Sequence, residues 1–127
     1  MIIRNRNGAF GELYANRFLR DNNYDIIHTN YRTRRGEIDI IAWDNSVRDK
    51  RGKTMVFIEV KALTKTDFML PREKVNLTKQ KHILSAARTF ITINRIGNPV
   101  RFDIIEIYLD GKEIPSAEKI VHLKSAF

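Results

Sequence analysis

At 127 residues, with 43% hydrophobic side chains and no cysteine, the chain has apolar material for one core and not for two; disulfides, thiolate metal sites and cysteine nucleophiles are excluded. No apolar run approaches the roughly 20 residues that cross a bilayer, and the polar residues 1–6 do not make a secretory signal. One domain over residues 1–127, cytoplasmic and without membrane contact, is therefore expected. Twenty-three Lys and Arg against fifteen Asp and Glu leave a net charge of +8, which draws polyanions and is equally compatible with nucleic-acid binding and with mere solubility.

Residues 8–22 read as a helix. Phe10, Leu13, Tyr14 and Phe18 fall on one face at helical spacing, widened by Ala15 and Leu19, with Asn7 as N-cap and Asp21-Asn22-Asn23 as the end. A strand is predicted over 24–31, followed by an arginine-rich turn over 32–36. Two strands rich in β-branched residues follow, 37–43 and 54–61, joined by a polar hairpin loop over 44–53. A second helix is predicted over 72–94, starting after Pro71 and stopped by Gly97-Asn98-Pro99. Its core face comprises Val75, Ile83, Ala86, Ala87, Phe90 and Ile91. A strand over 101–108, a turn at Asp110-Gly111 and an apolar run, Ile120-Val121-His122-Leu123, complete the chain. The order α-β-β-β-α-β predicts an α/β fold with a central mixed β-sheet flanked by helices: antiparallel within the hairpins, parallel across the helical crossover.

The charges inside the strands carry the chemistry. Alternation places Phe57, Glu59 and Lys61 on one face, and Glu37, Asp39 and Ile41 on one face opposite Ile38 and Ile40. A hairpin symmetric about residue 49 makes Asp39 and Glu59 cross-strand neighbours, with Cβ atoms about 5 Å apart. Two carboxylates so close repel unless a cation lies between them; a divalent ion on hard oxygen ligands is the usual solution, and Lys61 adds further positive charge. The plain alternative is a solvated face with a surface ion pair, but Ile41 and Phe57 on the charged face imply a cover, under which acids need partners. Glu12 stands at the edge of the first helix's apolar arc, where a simple helix-dipole contact is equally expected. Lys79 and Gln80 project from the core face of the second helix, unlike Lys81 and His82; a snorkelling lysine is the plain alternative. Arg32, Arg34 and Arg35, just before the Asp39 strand, are placed to grip flanking phosphates.

Asp39 followed by Glu59-Val60-Lys61 resembles the D…(D/E)-x-K signature of the restriction-endonuclease-like nuclease superfamily. A wider string is more specific: Gly8, Gly11-Glu12 and Ala15; Gly36-Glu37-Ile38-Asp39-Ile40-Ile41; Val56 to Lys61; Lys79 with Ala86-Ala87; Arg101-Phe102-Asp103; and Ala126-Phe127. It resembles the YraN-type family of small bacterial proteins, similar in fold to archaeal Holliday-junction resolvases. The resemblance implies Mg²⁺- or Mn²⁺-dependent hydrolysis of phosphodiester bonds in DNA, with branched or junction DNA as a candidate substrate. By position, Glu12, Asp39 and Glu59 would be metal ligands, with the Val60 carbonyl a fourth. Lys61 would orient or deprotonate the attacking water, or stabilise the transition state. Lys79 would be an auxiliary cation on the phosphate side, and Glu37, Arg101 and Asp103 supporting residues. Where the family often has an arginine after the E-V-K element this chain departs from the pattern with Ala62-Leu63-Thr64-Lys65, so Lys65 substitutes for it only incompletely. The loop over 44–53 is longer and more basic than the family pattern. Symmetric cutting of two strands would call for a homodimer. The rival expectations are a nucleic-acid-binding module that lost catalysis, and an assembly factor with an acidic partner.

Overall fold

The computed structural model describes residues 6–64 and 77–127. Its helices are α1 (Arg6–Asp21) and α2 (Leu77–Ile93); its strands are β1 (Tyr24–Arg32), β2 (Glu37–Asp49), β3 (Gly52–Leu63), β4 (Val100–Leu109) and β5 (Ala117–Leu123). Among the described residues the strands form one sheet in the order β1-β2-β3-β4-β5. Neighbours run antiparallel except β3 and β4, which α2 connects in parallel. The α/β class and the mixed sheet are as predicted; β5 is an additional strand. It contains the apolar run noted at the end of the chain and pairs along β4 from Ile104↔Leu123 to Leu109↔Ala117. As an edge strand it alternates too weakly to declare itself in sequence.

The helices cover opposite faces of the sheet. On α1 the buried positions are Gly11, Ala15 and Leu19, one residue per turn, with Phe10, Tyr14 and Phe18 leaning on the same core. Leu13, predicted inside, is 58% exposed. The contact runs along Gly11 because that residue lets the helix settle on β3: a Cβ there would stand 2.8 Å from the Ala62 Cβ. That rotation carries Leu13 outward. Asn7 lies inside the helix and not at its cap, a boundary shift of the kind helix ends often show. The helix closes as predicted: the Asn22 N–H donates to the Phe18 carbonyl at 3.1 Å, and Asn23 takes a left-handed φ of 67° that asparagine tolerates.

The predicted register holds from Ile40↔Ile58 to Asp44↔Thr54, then shifts between Asp44 and Arg48. Residues 44–53 are therefore mostly strand and not loop, with only Lys50 and Arg51 between the last pair, Asp49↔Gly52. The strict alternation predicted for β2 also breaks. Ile40 and Ala42 join the core under α1, whereas Ile38 and Ile41 both join the core under α2. The break falls at Asp39, whose carboxylate accepts the Val60 N–H at 2.8 Å and so takes the place of a backbone partner where β2 and β3 diverge.

Ile83, Ala86, Ala87 and Phe90 of α2 are buried as predicted, Phe90 against the Tyr31 and Phe57 rings. Val75, Pro71 and the predicted start of this helix lie outside the described residues. Gly36 sets the approach of α2 to the arginine turn, since a Cβ on it would lie 2.1 Å from the His82 carbonyl oxygen. Backbone cannot yield cheaply, so Gly36→Ala is expected to cost about 1–3 kcal/mol in urea unfolding. Gly97→Ala, with nothing within 4 Å, should stay within about 1 kcal/mol of the parent. Equal midpoints for the two variants would refute the close approach.

Candidate active site

The face of β3 turned towards α2 carries Phe57, Glu59 and Lys61, as alternation requires. Glu59 is 8% exposed, and the Lys79 ammonium from α2 rests against its Oε1. Burial works against the charge on Lys79, but the hydrogen bond to Glu59 and the negative charges of Glu59, Asp39 and Glu37 outweigh it and raise its pKa. One lysine thus reports three acids gathered where β2 and β3 part. Gln80 is half-buried beside it, whereas Lys81 and His82 are exposed, as predicted for that helix face.

Lys61 faces Glu106 across the parallel β3–β4 pair. Glu106 is 3% exposed, and the Tyr108 hydroxyl donates to its Oε1 at 3.2 Å. Neither residue was singled out in the sequence. The available signal was a lone acid inside the apolar strand Ile104-Ile105-Glu106-Ile107, on the same alternating face as Ile104. Glu59, Asp39 and Glu37 thus act on Lys79, and Glu106 stands in register with Lys61, an acidic locality on a chain of net charge +8.

The remaining candidates divide. Arg32 pairs with Glu37 at 3.4 Å, and Arg34 and Arg35 are exposed in the turn that Gly36 docks against α2, so the arginine turn borders the site. Glu12 belongs to α1, on the other side of the sheet, one residue after the Gly11 contact with Val60 and Ala62. The Val60 side chain also faces α1. Lys65 lies outside the described residues. Among the described residues no three His, Cys, Asp or Glu side chains form a group that could hold a metal ion. The donor chemistry at Asp39 and Glu59 nevertheless suits a hard divalent cation, and the ammonium drawn onto Glu59 reflects the same demand for positive charge.

Arg101 and Asp103 sit away from this site. Asp103 pairs in register with Ile58, whose side chain faces α1, and not with Glu59. They belong to a buried network at the other end of the sheet. Arg101 donates to Asp44 at 2.9 Å, to both oxygens of Asp103 at 2.9 Å and to the Tyr24 hydroxyl at 2.9 Å. His122 Nε2 lies 2.7 Å from Asp103, and the Ser125 N–H donates to the same carboxylate at 3.0 Å. The predicted Arg101–Asp103 pair is therefore present, as structure and not as part of the site. Ala126 and Phe127 close the network's edge: the Ala126 N–H donates to the Phe102 carbonyl at 2.8 Å, and the Phe127 ring packs on Phe102.

Desolvation alone would raise the pKa of Asp44, but hydrogen bonds from Ser46 and the Arg101 guanidinium outweigh it and bring it from 3.8 to about 2. Asp103 is likewise lowered, burial being outweighed by its bonds to His122, Arg101 and the Ser125 N–H. A carboxyl that binds its proton less tightly when folded stabilises only while ionised. The contribution is complete above about pH 5 and is lost as pH falls through 3.8 towards 2. Asp44 alone should then cost about 2 kcal/mol over that interval, measured by urea unfolding at stepped pH. A flat profile would show that the network is not ionised as described.

The fold and this locality define an α/β domain with a mixed sheet between two helices, carrying strand carboxylates and lysines near the fork of β2 and β3. Residues 11–107 match the model of the uncharacterised protein family UPF0102. The chain is 44% identical to a UPF0102 protein of Caldicellulosiruptor bescii over 94% of this chain and 95% of that one. It is 40% identical to one of Acetivibrio thermocellus (94% and 89%) and 39% identical to one of Treponema denticola (94% and 93%). The chain belongs to the UPF0102 family, the YraN-type family that its motifs resemble. Among the described residues no helix is long and apolar enough to cross a membrane.

Proposed function

We propose that this protein is a divalent-metal-dependent endonuclease that hydrolyses phosphodiester bonds in DNA, with branched DNA as the preferred substrate. The observation that carries the reading is the Lys79–Glu59 ion pair with the charges of Asp39 and Glu37 acting on the same ammonium, beside the Lys61↔Glu106 register pair, on an otherwise basic chain. Asp39 and Glu59 would hold Mg²⁺ or Mn²⁺, with the Val60 carbonyl as a further donor; Glu12, on the α1 face, stands outside this set. When bound, the ion supplies a polarised phosphate and a more acidic bound water. Lys61, held beside Glu106, offers a fixed positive charge to the reacting phosphate or to the water that attacks it. Lys79 neutralises Glu59 and, half-exposed, presents its charge to a phosphate at the rim. Arg34 and Arg35 extend the basic border, and two copies of the chain would serve symmetric cutting of a junction.

A second reading, a nucleic-acid-binding module without catalysis, is favoured by one observation: Glu59 already has Lys79 as its counterion. Calorimetric titration with Mn²⁺, beside cleavage of labelled four-way junction, flap, single-stranded and duplex DNA, separates the two. Ion binding lost in Asp39→Asn and Glu59→Gln, together with metal-dependent cutting, supports the nuclease. Bound but uncut DNA and no ion uptake support the binding module.

A further inference from the structure

The hairpin of β2 and β3 runs beyond the sheet. Pairing of β1 with β2 ends at Tyr24↔Asp44, and pairing of β3 with β4 begins at Met55↔Val100. Beyond its base at Asn45 and Lys53, the hairpin has among the described residues no strand partner but itself, through Arg48↔Lys53 and Asp49↔Gly52. The base of this arm is braced: the Asn45 N–H donates to the Asn23 carbonyl at 3.1 Å, and the Asn98 amide to the Lys53 carbonyl at 3.1 Å. The arm carries Arg48, Lys50, Arg51 and Lys53 against Asp49 alone, a net +3. Arg51 spends part of its charge on Asp49 at 3.7 Å, an exposed pair of little worth. Arg48 and Lys53 are direct cross-strand partners, an arrangement of like charges that costs stability and that an anion between them would relieve.

The arm lies at the far end of β3 from the site. Eight residues separate Arg51 from Glu59, about 26 Å at the rise of a strand, or about 8 base pairs of duplex at 3.4 Å each. A stiff duplex carries a second contact to a defined distance; a flexible single strand does not. We propose that this arm is a second phosphate-binding element, gripping the backbone of duplex DNA about 8 base pairs from the position held at Asp39 and Glu59. The inference rests on the nucleic-acid reading above and adds where on the substrate the protein holds.

The test compares the parent with the Arg48→Gln/Lys50→Gln/Arg51→Gln/Lys53→Gln variant. Anisotropy is read on hairpin DNAs with stems of about 6 and about 20 base pairs, the shorter unable to span both contacts. Ca²⁺ replaces Mg²⁺ so that cutting does not intervene. On the long stem the parent's affinity should fall with salt more steeply, by a slope difference of about 3.6 for the four cations removed, so that between 50 and 200 mM salt it loses about 150-fold more affinity than the variant. On the short stem the two proteins should nearly coincide. Melting of the variant should match or exceed that of the parent, because the Arg48–Lys53 repulsion is gone; Lys50→Gln alone gives a smaller shift of the same sign should the quadruple variant fail to fold. Parallel salt plots on the long stem, with the parent binding well, overturn the arm and leave the nuclease reading standing. No binding by the parent to either stem overturns both.

Discussion

Arg101→Met should lower the free energy of unfolding by about 3–5 kcal/mol, the cost of leaving buried charge without its partner. The size follows from what the guanidinium holds: Asp44 and Asp103 are both fully buried, and Arg101 bonds to each of them and to Tyr24. Methionine replaces much of the volume and none of the charge. The pH dependence should become shallower as well. In the parent the two carboxyls hold their protons less tightly folded than unfolded, so acid destabilises. Without the guanidinium, the Ser46 bonds to Asp44 and the His122 and Ser125 bonds to Asp103 remain, but desolvation meets less opposition, so less stability is lost on acidification. Urea unfolding at about pH 7 and pH 4 reads both effects, and adding Asp44→Asn and Asp103→Asn to Arg101→Met should recover part of the loss. A cost below about 1 kcal/mol with an unchanged pH slope would show that the network is a passive filler of the sheet edge.

Lys61→Ala should reduce metal-dependent cleavage by about 10²–10³-fold, the usual loss when one fixed charge is removed from a site of charge development. Lys61 reaches the acidic face from β3 and stands beside buried Glu106, which restricts where its charge can go. Substrate affinity should change little, because Arg34, Arg35 and Lys79 still border the site. Combining Lys61→Ala with Glu59→Gln should cost scarcely more than the worse single change, since groups acting on one transition state are not additive. Single-turnover rates and equilibrium binding on the same DNA separate these quantities. Equal loss of binding and cutting would make Lys61 a contact residue and not a catalytic one.

Part of the family-like motif string turns out to be architecture. Gly11 and Gly36 are places where helix and sheet, or helix and turn, come too close for a Cβ. Arg101, Asp103, Ala126 and Phe127 hold β4, β5 and the end of the chain together. Asp39, Glu59, Lys61 and Lys79 are the part for which we propose a chemical role. Sequence spacing cannot separate the two groups, because a carboxylate buried for structure and one buried for chemistry look alike until their partners are known. Asp103 against Glu59 is the case in point: adjacent strands, opposite faces.

What the sequence determined by itself was whatever depends on near neighbours along the chain. Helix faces follow from 3.6-residue spacing, strand faces from alternation, and the β2–β3 register from a hairpin symmetric about residue 49, which pairs Ile40 with Ile58 and Ile41 with Phe57. Tertiary structure alone decided that Leu13 points outward, that β2 changes phase at Asp39, that Glu106 lies beside Lys61, and that residues 45–53 stand out as an arm. Each depends on a partner far away in sequence: Ala62 under Gly11, Val60 across from Asp39, β4 beside β3, and the points where β1 and β4 stop pairing. Close packing couples such distant groups through sub-ångström fits, and no local periodicity records them.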